Sequence, residues 1–179
     1  MGCVAKTEAG VSSAGSASSI DIFLQPGEFH FGDRDTCIRT LLGSCVAITL
    51  WHPRFRIGGM CHYLLPGRRR WGRSDVLDGR YADNAMLMFL RELARTGTRP
   101  CDYEVKMFGG GNQFDARSGG ASISVPDRNI EAGRELLVYH GFVLKAEHLG
   151  GCGHRNVIFE IATGDVWMRH VDTAKGARR

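Results

Sequence analysis

Between Cys45 and Trp51 apolar and small residues alternate, and a second run of the same kind, Ile57 to Leu65, follows the connection His52-Pro53-Arg54-Phe55. Such period-two patterning constrains the chain to a pair of antiparallel strands. Val46, Ile48 and Leu50 take one face, and Cys45, Ala47, Thr49 and Trp51 the other. Pro53 at the second position of the connection favours a type I turn. If the hairpin folds about the point between Pro53 and Arg54, Cys45 stands directly opposite His62, with the two side chains on one face and within reach. A longer loop would shift that register. Cys61, one residue before His62, then points to the opposite face and reads as core.

The remaining pattern surrounds this hairpin with short strands and two helices. Ile22, Phe23 and Leu24, then Phe29 and Phe31 across Pro26-Gly27, predict two short strands around a turn. Apolar residues at Tyr81, Ala85, Met88, Phe89 and Leu93 recur with a helical period, and Gly97 supplies the stop. A second helix is expected to begin at Ser124-Val125-Pro126-Asp127, with Ser124 and Asp127 as a capping pair, and to run to Gly141. Strands are predicted over Tyr103 to Phe108, Phe142 to Leu149, Asn156 to Ile161 and Val166 to Val171, the last two joined by the hairpin Ala162-Thr163-Gly164-Asp165. These elements predict an α+β fold, a single domain of mixed, largely antiparallel β-sheet packed with two main helices. The Ser-, Ala- and Gly-rich residues 1–19 read as a flexible tail, 20–172 as the domain, and 173–179 as a basic tail.

The chain's 179 residues are enough to bury one core, and 43% hydrophobic with 23% charged residues is a globular composition. No apolar run is long enough to span a membrane, and Met1 to Ser19 lacks the apolar stretch of a secretory signal, so a cytoplasmic location without membrane insertion is expected. A net charge of +4, with basic residues gathered only at Arg68, Arg69, Arg70 and Arg73, does not point to nucleic acid. The six cysteines at 3, 37, 45, 61, 101 and 152 form no CxxC pair and are expected to be reduced. Cys61, His62, Cys152 and His154 match no structural zinc spacing, so neither a metal nor a cofactor is expected.

Cys45 follows Leu42-Gly43-Ser44 at the start of a strand, where Gly43 permits a close backbone approach and the N–H groups around Ser44 are free to receive an oxyanion. A thiol is mostly protonated at neutral pH and needs a neighbouring base to generate or stabilise the attacking thiolate, a role open to His62. A cysteine and a histidine on adjacent strands are more often ordinary core or edge residues than a catalytic pair, so spacing alone leaves the function undecided.

The stretch TLLGSCVAITLWHPRFRIGGMCHYLLP resembles the signature of the CheD family of chemoreceptor glutamine deamidases, in which Gly-Ser-Cys is followed by a His just before an apolar-Leu-Pro segment. Further likenesses follow in order. They are Tyr81-Ala82-Asp83 opening a helix, Gly109-Gly110 with Phe114 downstream, Arg128-Asn129-Ile130-Glu131-Ala132, and Gly150-Gly151 with Arg155 and the Thr163-Gly164 hairpin. The resemblance implies a fold like that of the cytotoxic necrotizing factor type deamidases. It also implies hydrolysis of glutamine side chains on methyl-accepting chemotaxis receptors to glutamate and ammonia through a cysteine thioester. It assigns Cys45 as nucleophile and His62 as base, with Gly43 and Ser44 as oxyanion support. The family's third catalytic residue is a threonine shortly before Gly-Ser-Cys, which falls on Thr40 or, in another register, on the place of Arg39. A CheC-type phosphatase is a second partner in some members, and an adaptor that only binds receptors or that phosphatase is the alternative function. Gly150-Gly151-Cys152-Gly153-His154 departs from the family's usual Gly-Gly-Asn, and Cys152 and His154 read as solvent-facing loop substitutions or as adjusters of receptor binding or redox behaviour.

Overall fold

Nine strands form among the described residues, and they divide between two sheets. The computed structural model describes residues 20–67, 76–112 and 124–172; the expected tails at 1–19 and 173–179, Cys3, the cluster from Arg68 to Arg73 and Phe114 lie outside them. An outer sheet runs in the order β1 (Ile20–Leu24), β3 (Thr36–Leu42), β8 (His154–Glu160), β9 (Val166–Val171). A central sheet runs β2 (Phe29–Asp33), β5 (Ile57–Tyr63), β4 (Val46–His52), β6 (Glu104–Gly109), β7 (Leu144–Leu149). Only β1 with β3 and β6 with β7 pair in parallel; the other pairings are antiparallel, in keeping with the expected α+β class.

The central sheet is buried on both faces, which explains why β4 is apolar almost throughout. Val46, Ile48, Leu50, Cys61 and Tyr63 pack against the helices α1 (Ala82–Thr96) and α2 (Val125–Tyr139), through Ala85, Met86, Phe89, Leu93 and Leu137. Ala47, Met60 and Phe108 face the other way and pack on Leu24, Ile38, Leu42, Val157 and Phe159 of the outer sheet. The layers are therefore helices, central sheet, outer sheet. Each large side chain so buried contributes about 1.5–3 kcal/mol.

Both helices keep the caps that their sequences predict. Gly97 closes α1 with φ 67°, a left-handed conformation open to glycine, and the Thr98 N–H returns to the Leu93 carbonyl at 3.0 Å. Ser124 caps α2, accepting the Asp127 N–H at 3.4 Å and donating to its carboxylate at 2.6 Å. Gly133 lets α2 lie close on the sheet, because a Cβ there would stand 2.3 Å from the Tyr63 hydroxyl. That hydroxyl donates to the Asn129 carbonyl at 2.8 Å.

The two short strands expected around Pro26-Gly27 form, and they enter different sheets: β1 joins the outer sheet beside β3 and β2 the central sheet beside β5. Two other local expectations need correction. Strand β3 was not foreseen; its inward positions include Thr36 and Thr40, so its apolar signal is diluted. The hairpin register is shifted by two. His62 pairs with Ala47 and Tyr63 with Val46, because the loop is Pro53 to Arg56, with Arg56 at φ 50° and its N–H bonded to the His52 carbonyl at 2.9 Å. Cys45 is thus not directly opposite His62. A shift of two, unlike a shift of one, leaves every side chain on its original face, so the two remain on the same side.

Candidate functional site

Cys45 lies just before β4, at the end of the bend Gly43-Ser44-Cys45 that links the outer sheet to the central one. Three contacts hold the carbonyls of this bend. Gly111 N–H donates to Gly43 and Gly110 N–H to Cys45, both at 2.8 Å, and the Asn129 side-chain amide donates to Ser44 at 3.4 Å. Gly109, at φ 116°, presses directly on the bend; a Cβ there would lie 2.2 Å from the Cys45 carbonyl oxygen. Among the described residues the N–H groups of Ser44 and Cys45 donate to no backbone carbonyl.

His62 sits near the end of β5, only 1% exposed. The turn between β1 and β2 clamps its backbone. Gly27 N–H donates to the His62 carbonyl at 2.7 Å, and His62 N–H donates to the Glu28 carbonyl at 3.0 Å. Its ring reaches across to the outer sheet, where Nδ1 lies 2.8 Å from Thr40 Oγ1, and that hydroxyl is 2.9 Å from the Leu24 carbonyl.

This chain of contacts fixes the tautomer. Thr40 has one hydroxyl proton, and the Leu24 carbonyl can only accept. Thr40 therefore donates to Leu24 and receives the Nδ1 proton of His62, leaving Nε2 with its lone pair. Nε2 is buried and has no hydrogen-bond partner among the described residues. Burial pushes His62 down to about 4, against weaker opposing effects of the Leu24 carbonyl and the Glu28 charge. Burial also raises the Cys45 thiol above its ordinary value, opposed by hydrogen bonding to Ser44 and to its own backbone. At neutral pH the two groups are a thiol and a neutral imidazole. Of the two routes open to a cysteine beside a histidine, the arrangement suits proton abstraction during attack better than a standing thiolate-imidazolium pair.

Both residues line one cavity of about 790 Å³, together with Pro26, Leu41, Gly43, Ser44, Asn112, Ser124, Val125, Pro126 and His154. Leu41 and Val125 are exposed at its rim. The sequence candidates Cys45, His62, Gly43 and Ser44 thus come together here, and Thr40 stands directly behind His62. Arg39 does not join them, since strand alternation turns it outward to pair with Asp21 at 2.8 Å. His154 is half-buried in the cavity wall rather than in a solvent-facing loop. Cys152 is half-buried nearby, its carbonyl 2.8 Å from His170 Nε2. Cys61 is sealed on the helix side and pushed up by burial to about 12. It therefore shares no site with His62. Among the described residues no group of three metal-ligating side chains is gathered.

Two structural residues of the site escaped the sequence reading of chemistry. Asn129 is fully buried, and its Nδ2 also donates to the Leu64 carbonyl at 2.7 Å, so α2 holds both the Cys45 bend and the chain leaving His62. Arg155, 1% exposed, lies beneath the glycine loops, donating through Nε to His148 Nδ1 at 2.9 Å and through Nη2 to the Gly150 carbonyl. Burial lowers its pKa. Both fall inside motifs quoted above, but a contact with a bend 85 residues away has no local signal.

Known proteins resemble this chain over most of its length. The profile of the CheD family, described as CheD chemotactic sensory transduction, matches residues 64–170. A protein of Dechloromonas aromatica named probable chemoreceptor glutamine deamidase CheD 3 is 48% identical over 87% of this chain and 91% of its own. A protein of Pseudomonas savastanoi named probable chemoreceptor glutamine deamidase CheD is 52% identical over 84% of each. Among solved structures, the Bacillus licheniformis hypothetical protein YfiH is 15% identical, with a TM-score of 0.45 over 69% of this chain and 51% of that one, a likeness too slight to bear on activity.

Proposed function

This chain belongs to the CheD family, and from that premise we propose that it hydrolyses glutamine side-chain amides of chemotaxis receptors to glutamate and ammonia, with Cys45 as nucleophile and His62 as base. The observation that carries the reading is the relay from His62 Nδ1 through Thr40 to the Leu24 carbonyl, which leaves Nε2 as a free base in the cavity that holds Cys45.

The chemistry follows from that tautomer. Cys45 Sγ attacks the glutamine side-chain carbonyl carbon as Nε2 takes the thiol proton. The carbonyl oxygen becomes an oxyanion, for which the Ser44 and Cys45 N–H groups are the available donors. The imidazolium, still braced by Thr40, gives the proton to the departing nitrogen, so ammonia leaves and a thioester remains. Water then attacks the thioester while Nε2 takes one of its protons. Collapse of this second intermediate releases glutamate, and His62 returns the proton to the sulfur. Thr40 keeps Nδ1 protonated and the ring in place throughout, so the same nitrogen serves both halves.

The cavity's exposed rim residues Leu41 and Val125 suit a glutamine presented on a folded surface, whose neighbouring side chains supply binding energy away from the reacting amide. No helix among the described residues is long and apolar enough to cross a membrane. The receptor's cytoplasmic part as substrate would place the protein in the cytoplasm.

The test is incubation of a purified receptor cytoplasmic domain with this protein, following ammonia release and the site-resolved mass change of amide to acid. A free peptide of the same sequence serves as comparison. Conversion of specific glutamines in the folded domain, faster than in the peptide, is the expected result. Stable binding to receptor or to a CheC-type phosphatase with no mass change would instead identify a non-catalytic adaptor. Equal turnover of peptide and receptor would make the protein a general amidase.

A further inference from the structure

We propose that Asn129 is a positioning residue for this hydrolysis, holding the Ser44-Cys45 peptide so that the Cys45 N–H faces the cavity as an oxyanion donor. The inference rests on the reading of Cys45 as nucleophile. Its geometric basis is the peptide itself. In a trans peptide the carbonyl and the following N–H point in opposite directions, and no cis peptide is present among the described residues. The Ser44 carbonyl is directed at Asn129 Nδ2, so the Cys45 N–H of the same peptide turns away from Asn129. Among the described residues it donates to no carbonyl and meets only the sulfur of its own residue, and Ser44 and Cys45 both line the cavity.

The side chain is suited to this and to little else. Its Nδ2 donates to two carbonyls, Leu64 at 2.7 Å and Ser44 at 3.4 Å, which uses both amide protons. The flipped amide would set an oxygen against both carbonyls, so the orientation follows from its neighbours. Among the described residues Oδ1 is left buried without a partner, a destabilising arrangement for a residue whose only task is packing. The docking of α2 on the sheet rests on other contacts. Tyr63 donates to the Asn129 backbone carbonyl at 2.8 Å, and Gly133, one turn further along α2, lies against the same hydroxyl. One amide thus ties the nucleophile's bend to the segment that follows the base, and a loss of either tie would loosen the oxyanion donor before it touched the thiol.

Four proteins decide the matter: wild type, Asn129→Asp, Asn129→Ser and Tyr63→Phe. For each, kcat and KM on the receptor cytoplasmic domain are measured beside the thermal midpoint and the rate of Cys45 alkylation by iodoacetamide. Alkylation displaces iodide at a saturated carbon and forms no oxyanion. Both Asn129 variants should lose about ten- to hundredfold in kcat, less than the roughly 10²–10³ seen when an oxyanion donor is removed because here the donor is only loosened, with KM and alkylation within about threefold of wild type. Tyr63→Phe should lower the thermal midpoint and retain kcat, showing that looser docking of α2 alone does not produce the effect. Asn129→Ser, which keeps a short donor, guards against an Asp variant that fails to fold. Wild-type kcat in folded Asn129→Ser, or alkylation falling by the same factor as kcat, overturns the proposal. Turnover that survives Cys45→Ala would instead overturn the chemical reading beneath it.

Discussion

The two faces of the β4–β5 hairpin carry neighbouring residues to opposite fates. On the helix side Cys61 is 1% exposed among Ile48, Phe89 and Leu137, and burial pushes its thiol up to about 12. On the other side, where the central sheet parts from the outer sheet, His62 and Cys45 line a cavity. Position in the sequence hardly distinguishes Cys61 from His62; the period of two does. The helix side is closed mainly by apolar packing, with the Tyr63 hydroxyl bonded to the Asn129 carbonyl, whereas the cavity side uses its polar groups for orientation, through Thr40, Leu24, Glu28 and Gly27. A sheet buried on both faces can thus separate stability from chemistry by strand parity.

Changes on the cavity side should therefore cost turnover and changes on the helix side stability. His62→Gln, which removes the base, should reduce kcat by about 10²–10⁴-fold with little change in thermal midpoint. In wild type, protonating Nε2 abolishes the base, so kcat/KM should fall as pH drops through about 4, and a limb at the ordinary histidine value near 6.5 would contradict the buried neutral ring. The same depressed pKa means that the unfolded chain binds a proton more readily, so His62 weakens stability as pH falls from about 6.5 towards 4. Comparing urea midpoints of wild type and His62→Gln over that interval checks the sign.

Across the sheet, Phe89→Ala removes a fully buried ring packed edge-on to Phe29 at 4.9 Å. It should cost about 3–5 kcal/mol of unfolding free energy, read from denaturant titration, while turnover per folded molecule stays near wild type. Loss of turnover in the folded fraction would show that the two faces are coupled.

The smallest of these effects belongs to Thr40→Val, which keeps the shape and removes the hydroxyl. Losing the brace on Nδ1 should lower kcat about tenfold, the equivalent of one hydrogen bond. Thr40→Ser should restore most of it. Equal rates in wild type and Thr40→Val would mean that the ring is oriented by packing alone.

How much of this was legible in the sequence follows from the range of each interaction. The alternation of β4 and β5 and the caps of α1 and α2 are local, and Val46, Cys61, Ser124 and Gly97 stand where those patterns put them. The hairpin register was not legible, because a left-handed Arg56 lengthened the loop, and the pairing of Cys45 with His62 on one face survived only because the shift was even. Strand β3 was hidden by its inward-facing threonines. Its alternation of Thr36, Ile38, Thr40 and Leu42 against Cys37, Arg39 and Leu41 was nevertheless present, and it separates Thr40 from Arg39. The division into two sheets and the clamp of Asn129 depend on contacts distant in sequence, which no window of neighbouring residues reports.

The comparison of the two faces, and with it the assignment of the nucleophile, is tested most directly by giving Cys45→Ala and Cys61→Ala to one receptor cytoplasmic domain and following each glutamine by site-resolved mass spectrometry. The prediction is that Cys45→Ala, though folded, converts none of them, while Cys61→Ala converts the same glutamines at close to the wild-type rate and only melts earlier. Conversion by Cys45→Ala, or a folded Cys61→Ala that has lost it, would contradict the assignment of chemistry to the cavity side of the sheet.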